Sequence, residues 1–167
     1  IALNGLRLAD VGPGSRIAVI GLGLVGQLTV RLARASGFLT CGIDIDPWTL
    51  ERALTDADLV LNGSSNDRGA SILAWTRGRG VDAVLVTAAT KSSAPMHQAA
   101  EIARDRATIV LVGDVGLELD RRPLYEKELT VKVARSYGPG RYEYSYEELA
   151  VDYPVGQIRW TEGRNLE

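Results

Sequence analysis

The stretch Val19-Ile20-Gly21-Leu22-Gly23-Leu24-Val25-Gly26 decides the fold of this chain. It begins with apolar, β-branched residues, places three glycines in the spacing G-x-G-x-x-G, and leads into a helical pattern of apolar residues. Asp44 follows roughly 20 residues further on, at the end of a second apolar run. A strand before the glycines, a helix after them and an acid at this distance are together typical of a dinucleotide-binding βαβ unit.

Each glycine of this stretch has its own predicted role. Gly21 allows a tight turn at the end of the strand, Gly23 lets the backbone approach a pyrophosphate, and Gly26 lets the helix pack closely on the strand. The helix that begins near Leu24 would present free N–H groups and the positive end of its dipole to the phosphates. We therefore predict cofactor contacts from the whole loop: Gly21, Leu22, Gly23, Leu24, Val25 and Gly26.

Asp44 is predicted to accept hydrogen bonds from the hydroxyl groups of the adenosine ribose. Its charge would repel the additional phosphate of NADP, and positions 45 to 51 contain no Arg or Lys that could neutralise that phosphate. NAD is therefore favoured over NADP as the cofactor. The alternative is that Asp44 caps the following helix, but Asp46 stands directly before Pro47, where a helix cap belongs.

Apolar runs and helical patterns alternate along the chain and predict six strands connected by helices. The strands are expected at residues 16–20, 39–44, 58–62, 81–88, 107–113 and 129–134. The helices are expected at residues 24–36, 46–54, 68–76 and 93–106, with a further helical pattern in residues 1–10. This alternation predicts an α/β protein with a Rossmann fold: a doubly wound parallel six-stranded sheet, order 3-2-1-4-5-6, with helices on both faces.

The ends of the fourth and fifth predicted strands should complete the binding site. Ligands of such sheets bind at the carboxyl ends of the strands, near the point where the strand order reverses. Small residues at these ends would let a flat ring lie close to the backbone. Beyond the glycine loop and Asp44, the predicted cofactor contacts are therefore Ile45, Thr87, Ala88, Ala89, Val112 and Gly113.

The sequence assigns no catalytic residue. His97, the only histidine, falls inside a predicted helix and is interpreted as a structural residue, while Lys91 is interpreted as a solvated loop residue that could still reach the cleft. The segment Arg77-Gly78-Arg79-Gly80 is interpreted as a solvated turn. Neither a Ser/His/Asp set nor a cluster of metal ligands can be assembled from the chain.

The composition is that of a globular protein, with 46% hydrophobic and 24% charged residues. A net charge of -2 favours neither nucleic acid nor an anionic membrane as a partner. The single cysteine, Cys41, excludes an internal disulfide and a cysteine-based metal cage. No apolar run approaches the roughly 20 residues needed to cross a bilayer, and no signal peptide is recognisable, so the expected location is cytoplasmic.

Two regions are expected along the chain. Residues 1–140 should form one NAD(P)-binding Rossmann domain. Residues 141–167 are rich in tyrosine and acidic residues without a clear period, and we expect a tail that packs on a partner or on a missing domain. The chain starts with Ile1 rather than Met, which favours a piece of a longer protein.

Several segments resemble the medium-chain, zinc-type alcohol dehydrogenases. Residues 11–26 are similar to that family's segment V-x-P-G-x-x-V-x-V-x-G-x-G-x-V-G, and the resemblance continues in order to about residue 140. Residues 76–84 are similar to the family's approach to its fourth strand, and residues 109–113 to its fifth strand. A bacterial subgroup, the bi-domain oxidoreductases, is resembled at residues 87–92, 113–116, 125–129, 135–142, 152–154 and 159–162.

The resemblance implies an oxidoreductase that transfers hydride between a nicotinamide cofactor and an alcohol or carbonyl substrate. It also implies that a separate domain before Ile1 holds the small-molecule substrate and any catalytic zinc, so that this chain alone would be inactive. The family's sixth strand often pairs with its copy in a second subunit, which makes residues 129–134 the expected edge of a homodimer. The alternative is a non-catalytic NAD(H)-sensing regulatory module, which has no reason to carry the lead-in Val11-Gly12-Pro13-Gly14.

Overall fold

A parallel six-stranded sheet forms the centre of the computed structural model, which describes all residues from 1 to 167. The strands are β1 (Arg16–Ile20), β2 (Leu39–Asp44), β3 (Leu59–Asn62), β4 (Val81–Val86), β5 (Ala103–Leu111) and β6 (Thr130–Val133). The helices are α1 (Ala2–Leu8), α2 (Leu24–Ala35), α3 (Pro47–Ala53), α4 (Arg68–Trp75), α5 (Ala94–Ile102), α6 (Arg121–Glu126) and α7 (Tyr144–Glu147). The strands are ordered β3-β2-β1-β4-β5-β6 and every neighbouring pair is parallel, which confirms the predicted topology.

Strand β1 lies between β2 and β4 and shows how both helical layers form on the sheet. Its side chains alternate between the two faces, as in any strand. Ile17 and Val19 pack with the layer of α1, α2 and α3, whereas Ala18 and Ile20 pack with α4 and α5. All four residues are buried, as expected for a central parallel strand that is covered on both faces.

The boundary between α5 and β5 differs from the predicted one. The alanine-rich pattern predicted a helix as far as Arg106, but α5 ends at Ile102 and Ala103 already has an extended backbone. The ammonium group of Lys127 donates hydrogen bonds of 2.8, 2.8 and 2.9 Å to carbonyl oxygens in the last turn of α5 and at Ala103. Because a cation satisfies these carbonyl groups, the helix can end before its apolar pattern does.

The helices are short, and α2 is the longest with 12 residues. Helix α6 lies in the polar connection before β6, where the sequence predicted no helix. None of the helices combines the length and the apolar character needed to span a bilayer.

Residues 141–167 fold back over the amino-terminal helix. The guanidinium carbon of Arg7 in α1 lies 3.4 Å from the centre of the Trp160 ring. The hydroxyl group of Tyr146 donates to the hydroxyl oxygen of the buried Thr161 at 3.1 Å, and the rings of Tyr146 and Tyr153 stack with their centres 6.1 Å apart. The tail thus contacts its own chain, while its docking on a partner or on another domain stays a prediction.

The thiol of Cys41 is fully buried in β2. Burial raises the pKa of the Cys41 thiol to about 12, because an apolar environment disfavours the charged thiolate. Since the thiolate is the nucleophile and the metal-binding form, Cys41 is chemically inert at neutral pH.

We expect Cys41 to resist Ellman's reagent in the folded chain at neutral and mildly alkaline pH. It should react fully once guanidinium chloride unfolds the chain, because its thiol then returns to water. A Ser64→Cys variant supplies the control, since Ser64 is exposed and the new thiol should react at once in the folded state. Rapid reaction of Cys41 in the folded parent chain would contradict the burial described here.

Candidate functional site

Two glycines of the loop after β1 are required by close packing. Gly21 has a φ of +95°, in the left-handed region that favours glycine, and a Cβ at this position would overlap the backbone of Ala88. A Cβ on Gly26 would overlap the carbonyl oxygen of Gly21. The first turn of α2 is therefore pressed against the loop at Gly26, and the positive φ of Gly21 accompanies a turn at the end of β1.

Gly23 faces open space. A Cβ at Gly23 would meet no protein atom within 4 Å. Its backbone, with φ -64° and ψ -168°, is open to other residues as well. The packing of the chain itself therefore does not require a glycine here, and the bare backbone leaves room for a ligand.

The first turn of α2 offers N–H groups that have no acceptor in the chain. They belong to Leu24, Val25 and Gly26, and the N–H of Gln27 is the first to bond, to the carbonyl oxygen of Gly23 at 2.9 Å. The residue that caps the helix is a glycine, and the first turn contains no acidic residue. Free amides at the positive end of a helix dipole suit an anionic group, so a pyrophosphate fits this position.

The carboxylate of Asp44 joins the end of β2 to the glycine loop. Its Oδ2 accepts the N–H of Leu22 at 2.5 Å, and its Oδ1 accepts the N–H groups of Ile45 and Asp46 at 2.7 and 3.0 Å. A carboxylate has about four lone-pair positions, so one on Oδ2 remains for a hydroxyl group. Asp46 instead accepts the N–H of Trp48 at 3.0 Å and caps α3, so the two acids have separate roles.

Thr87 fixes the turn of the glycine loop from the end of β4. The N–H groups of Thr87 and Ala88 both donate to the carbonyl oxygen of Ile20, at 2.8 and 3.1 Å. The Thr87 hydroxyl lies 2.5 Å from the carbonyl oxygen of Gly21 and 3.2 Å from that of Ile20. A hydroxyl carries one proton, so the shorter contact to Gly21 is the hydrogen bond that it donates. The sequence indicated only that residues here should be small.

These elements surround an open cleft of about 470 Å³ at the carboxyl ends of β1, β2 and β4, where the strand order reverses. Its volume falls within the range of small-molecule sites. Of the predicted site residues, the cleft brings together Gly21, Gly23, Asp44, Ile45, Thr87, Ala88 and Ala89. It is also lined by residues that the sequence did not single out, among them Gly63, Thr90, Ser92, Pro95 and Gln98.

Gly63 and Gln98 are cleft residues that sequence reasoning missed. The N–H of Gly63 donates to the backbone oxygen of Asp44 at 2.7 Å, and the side-chain amide of Gln98 donates to the carbonyl oxygen of Gly63 at 3.0 Å. The predicted strand order could have located Gly63, because it places the loop after β3 beside the end of β2. No sequence signal marks Gln98, which reaches the cleft because the first turns of α5 line it.

The other predicted contacts lie outside the lining of the cleft. The side chain of Leu22 is buried in the core between α2 and α3, and Leu24 is 78% exposed. Val112 packs against α1, and a Cβ on Gly113 would overlap the carbonyl oxygen of Ala88. Leu22 already donates its N–H to Asp44, so any further cofactor contact from these residues stays a prediction.

Neither His97 nor Lys91 lies in this cleft. The Nε2 of His97 is 2.7 Å from the carbonyl oxygen of Glu118, and Lys91 is exposed at a separate depression. No group of three His, Cys, Asp or Glu side chains is close enough together to hold a metal ion. We therefore assign no catalytic residue to the chain.

Comparison with known proteins identifies the family. The sequence profile of the family described as zinc-binding dehydrogenase matches residues 25–151. This chain belongs to that family. The resemblance to medium-chain, zinc-type alcohol dehydrogenases is thereby confirmed.

Curated relatives are similar to this chain over part of their own length. An alcohol dehydrogenase of Rhizobium meliloti (strain 1021) is 34% identical over 111 residues, which cover 66% of this chain and 32% of the relative. A zinc-type alcohol dehydrogenase-like protein of Escherichia coli (strain K12) is 27% identical over 156 residues, 90% of this chain and 43% of the relative. The chain thus spans less than half the length of these relatives.

Solved structures agree with the fold. The 2R,3R-butanediol dehydrogenase of Bacillus subtilis is 25% identical, with a TM-score of 0.74 over 83% of this chain and 40% of the other. A zinc-binding dehydrogenase of Sinorhizobium meliloti 1021 bound to NADP is 25% identical, with a TM-score of 0.71 over 80% of this chain and 41% of the other.

The loop glycines should respond differently to the same substitution. We expect Gly26→Ala to lower the free energy of unfolding by about 1–3 kcal/mol, because the new methyl group must push α2 away from Gly21. Gly23→Ala is the matched control: its methyl group meets no protein atom, so only the poorer helix cap should count, and the loss should stay below about 1 kcal/mol. Urea unfolding of both variants measures the difference, and equal losses would contradict the packing described here.

Proposed function

We propose that this chain is the NAD-binding domain of an alcohol dehydrogenase-like oxidoreductase. The proposal rests on one observation: the bare backbone of Gly23 and the Asp44 carboxylate line a single cleft, and the free amides of the first turn of α2 follow directly after Gly23. Family membership supports the reaction class, and the NADP-bound relative supports a nicotinamide cofactor. Such a cofactor, when bound, transfers a hydride to or from an alcohol or carbonyl compound.

The residues of the cleft have distinct tasks in this proposal. The free amides at the start of α2 would hold the pyrophosphate, and Gly23 would let it approach the backbone. The open position on Oδ2 of Asp44 would accept one ribose hydroxyl group without breaking a loop hydrogen bond. A second ribose hydroxyl would have to share Oδ1 with the amides of Ile45 and Asp46. Ile45, with its side chain 69% exposed, would offer an apolar surface to the adenine.

The electrostatics around Asp44 favour NAD over NADP. A phosphate on the ribose would approach the Asp44 carboxylate, and neighbouring cations are already engaged. The guanidinium group of Arg68 donates to the carbonyl oxygen of Gly63 at 2.5 Å and pairs with Glu101 at 2.7 Å. That of Arg52 lies over the ring of Trp48, 4.7 Å from its centre.

The substrate and any zinc ion would be held outside these 167 residues. The chain spans less than half of its relatives and contains no cluster of metal ligands. We therefore expect this chain alone to bind the cofactor without turning over an alcohol. We also propose a cytoplasmic location.

Titration with NADH and NADPH tests the cofactor proposal. We expect the intact chain to bind NADH more tightly than NADPH. The Asp44→Ser variant should bind NADH about 10-fold more weakly, and its preference for NADH over NADPH should become smaller or reverse. Asp46→Ser is the matched control: it removes the same charge two residues away and keeps a good helix cap, so the preference should not change.

The outcomes separate the parts of the proposal. Absence of NADH binding to the folded chain would refute the cofactor assignment. Tighter binding of NADPH by the intact chain would refute the preference for NAD and leave the cleft in place. The Gly23→Ala variant adds a further test, because it should weaken the binding of NADH while the chain stays folded.

A second copy of the chain would pair along β6. This strand is at the edge of the sheet, with β5 on one side only, and its Val131 and Val133 are 38% and 69% exposed. Lys132 points the other way and donates to the carbonyl oxygen of Leu8 at 3.0 Å. An unpaired strand edge with exposed apolar side chains favours strand-to-strand association.

We expect the chain to be a dimer by light scattering and Val133→Lys to shift it toward monomer, because a charge at the strand edge opposes pairing. Val155→Lys is the control, since Val155 is 55% exposed in the tail and should leave the dimer intact. If the Val133→Lys variant remains a dimer by light scattering, the interface does not lie along β6.

A further inference from the structure

A second cavity lies at the amino ends of the strands, on the opposite side of the sheet from the cleft at their carboxyl ends. It has a volume of about 390 Å³ and no hydrophobic residue in its lining. Because β1 has five residues at about 3.3 Å each, this cavity lies roughly 16 Å from the glycine loop. The side chains of Arg16, Arg79, Arg104, Asp82 and Ser15 define it, and we refer to it as the arginine cavity.

The arginine cavity carries an excess of positive charge. Asp82 is its only acid, and both of its oxygens are engaged: Oδ1 pairs with Nε of Arg104 at 2.7 Å, and Oδ2 accepts the backbone N–H of Arg16 at 2.7 Å. The guanidinium groups of Arg16 and Arg79 have no carboxylate partner. Three guanidinium groups and one carboxylate therefore leave two positive charges facing the cavity.

Arg16 is held in place without having its donors satisfied. Its Nε is buried and has no hydrogen-bond partner, and its guanidinium carbon is 5.6 Å from the centre of the Trp75 ring. The hydroxyl group of Ser15, beside it, has no partner in the chain either. The guanidinium group of Arg16 forms no ion pair within the chain and therefore keeps its donors for a ligand that enters the cavity.

The carbonyl groups at the ends of two neighbouring helices do not neutralise the positive charge of the arginines. Helices α4 and α5 both end at this edge, where their dipoles are negative. The end of α4 is closed by its own turn, in which the N–H of Gly78 donates to the carbonyl oxygen of Leu73 at 2.7 Å. The end of α5 is closed by the ammonium group of Lys127. The arginines are therefore not needed as helix caps.

We propose that the arginine cavity binds the phosphate group of a phosphorylated small molecule. Guanidinium groups recognise phosphate oxygens through paired, forked hydrogen bonds. A phosphomonoester carries a charge of roughly -1.5 to -2 at neutral pH, which balances the two unpaired arginines. The cavity volume is within the range of small-molecule sites, so it accommodates more than the phosphate alone. This site is separate from the cleft and does not depend on the function proposed above.

The turn before β4 contains a matched pair of arginines that tests the proposal. Arg79 lines the cavity, whereas Arg77, two residues earlier, is exposed outside it. The probe is β-glycerophosphate, titrated into the 167-residue chain by calorimetry at low ionic strength. We expect saturable binding at one site, weakened about 10-fold or more by Arg79→Gln and less than about twofold by Arg77→Gln. Both variants should keep the unfolding temperature of the parent chain.

Each other outcome overturns the proposal. Binding that does not saturate, or equal loss in the two variants, would show general attraction to a positive surface. Malonate, a dicarboxylate of similar charge, should bind more weakly, and equal binding would refute the assignment to phosphate. NADH should not displace the probe, because competition would place the probe in the cleft instead.

Discussion

The close contact between the backbones of Gly21 and Gly26 is the constraint on which the rest of the structure depends. It brings the positive end of α2 to the end of β1, in a space that no side chain could share. Thr87 then ties the end of β4 to the same loop, and Asp44 ties the end of β2 to it. Three strand ends are thus held in one arrangement by hydrogen bonds within the chain. A ligand that binds here finds its partners already ordered, which lowers the entropy cost of binding.

The sequence predicted the parts of this arrangement that depend on local patterns. The glycine spacing and the alternation of apolar runs were sufficient for the strand order, and the position of Pro47 separated the roles of Asp44 and Asp46. What it could not predict depends on contacts between distant segments. Lys127 ends α5 from 27 residues beyond Ala100, so the alanine pattern alone made the helix too long. Gln98 lines the cleft and contacts Gly63, 35 residues earlier, and the local sequence pattern does not indicate this contact either.

The two proposed sites lie at opposite ends of the strands and would attract anions by different physical means. At the carboxyl edge, helix α2 presents its amino end, so backbone amides and a dipole suffice and no lysine or arginine is required. At the amino end of the strands the helices present their negative ends, so the attraction for an anion would come from cationic side chains. Arg16 and Arg104 lie in β1 and β5 and Arg79 in the turn before β4, and they meet because β4 lies between those two strands. Because these arginines are far apart along the chain, local sequence patterns could not predict the cluster.

The chain has three tryptophans, and each lies beside an arginine in a different region of the molecule. Trp48 stands beside Arg52 just after Asp46, Trp75 beside Arg16 at the arginine cavity, and Trp160 beside Arg7 where the tail meets α1. A nearby positive charge shapes the emission of an indole ring. Single Trp→Phe replacements would therefore divide the intrinsic fluorescence into three local signals. The molecule contains its own optical reporters for the start of α3, the arginine cavity and the tail.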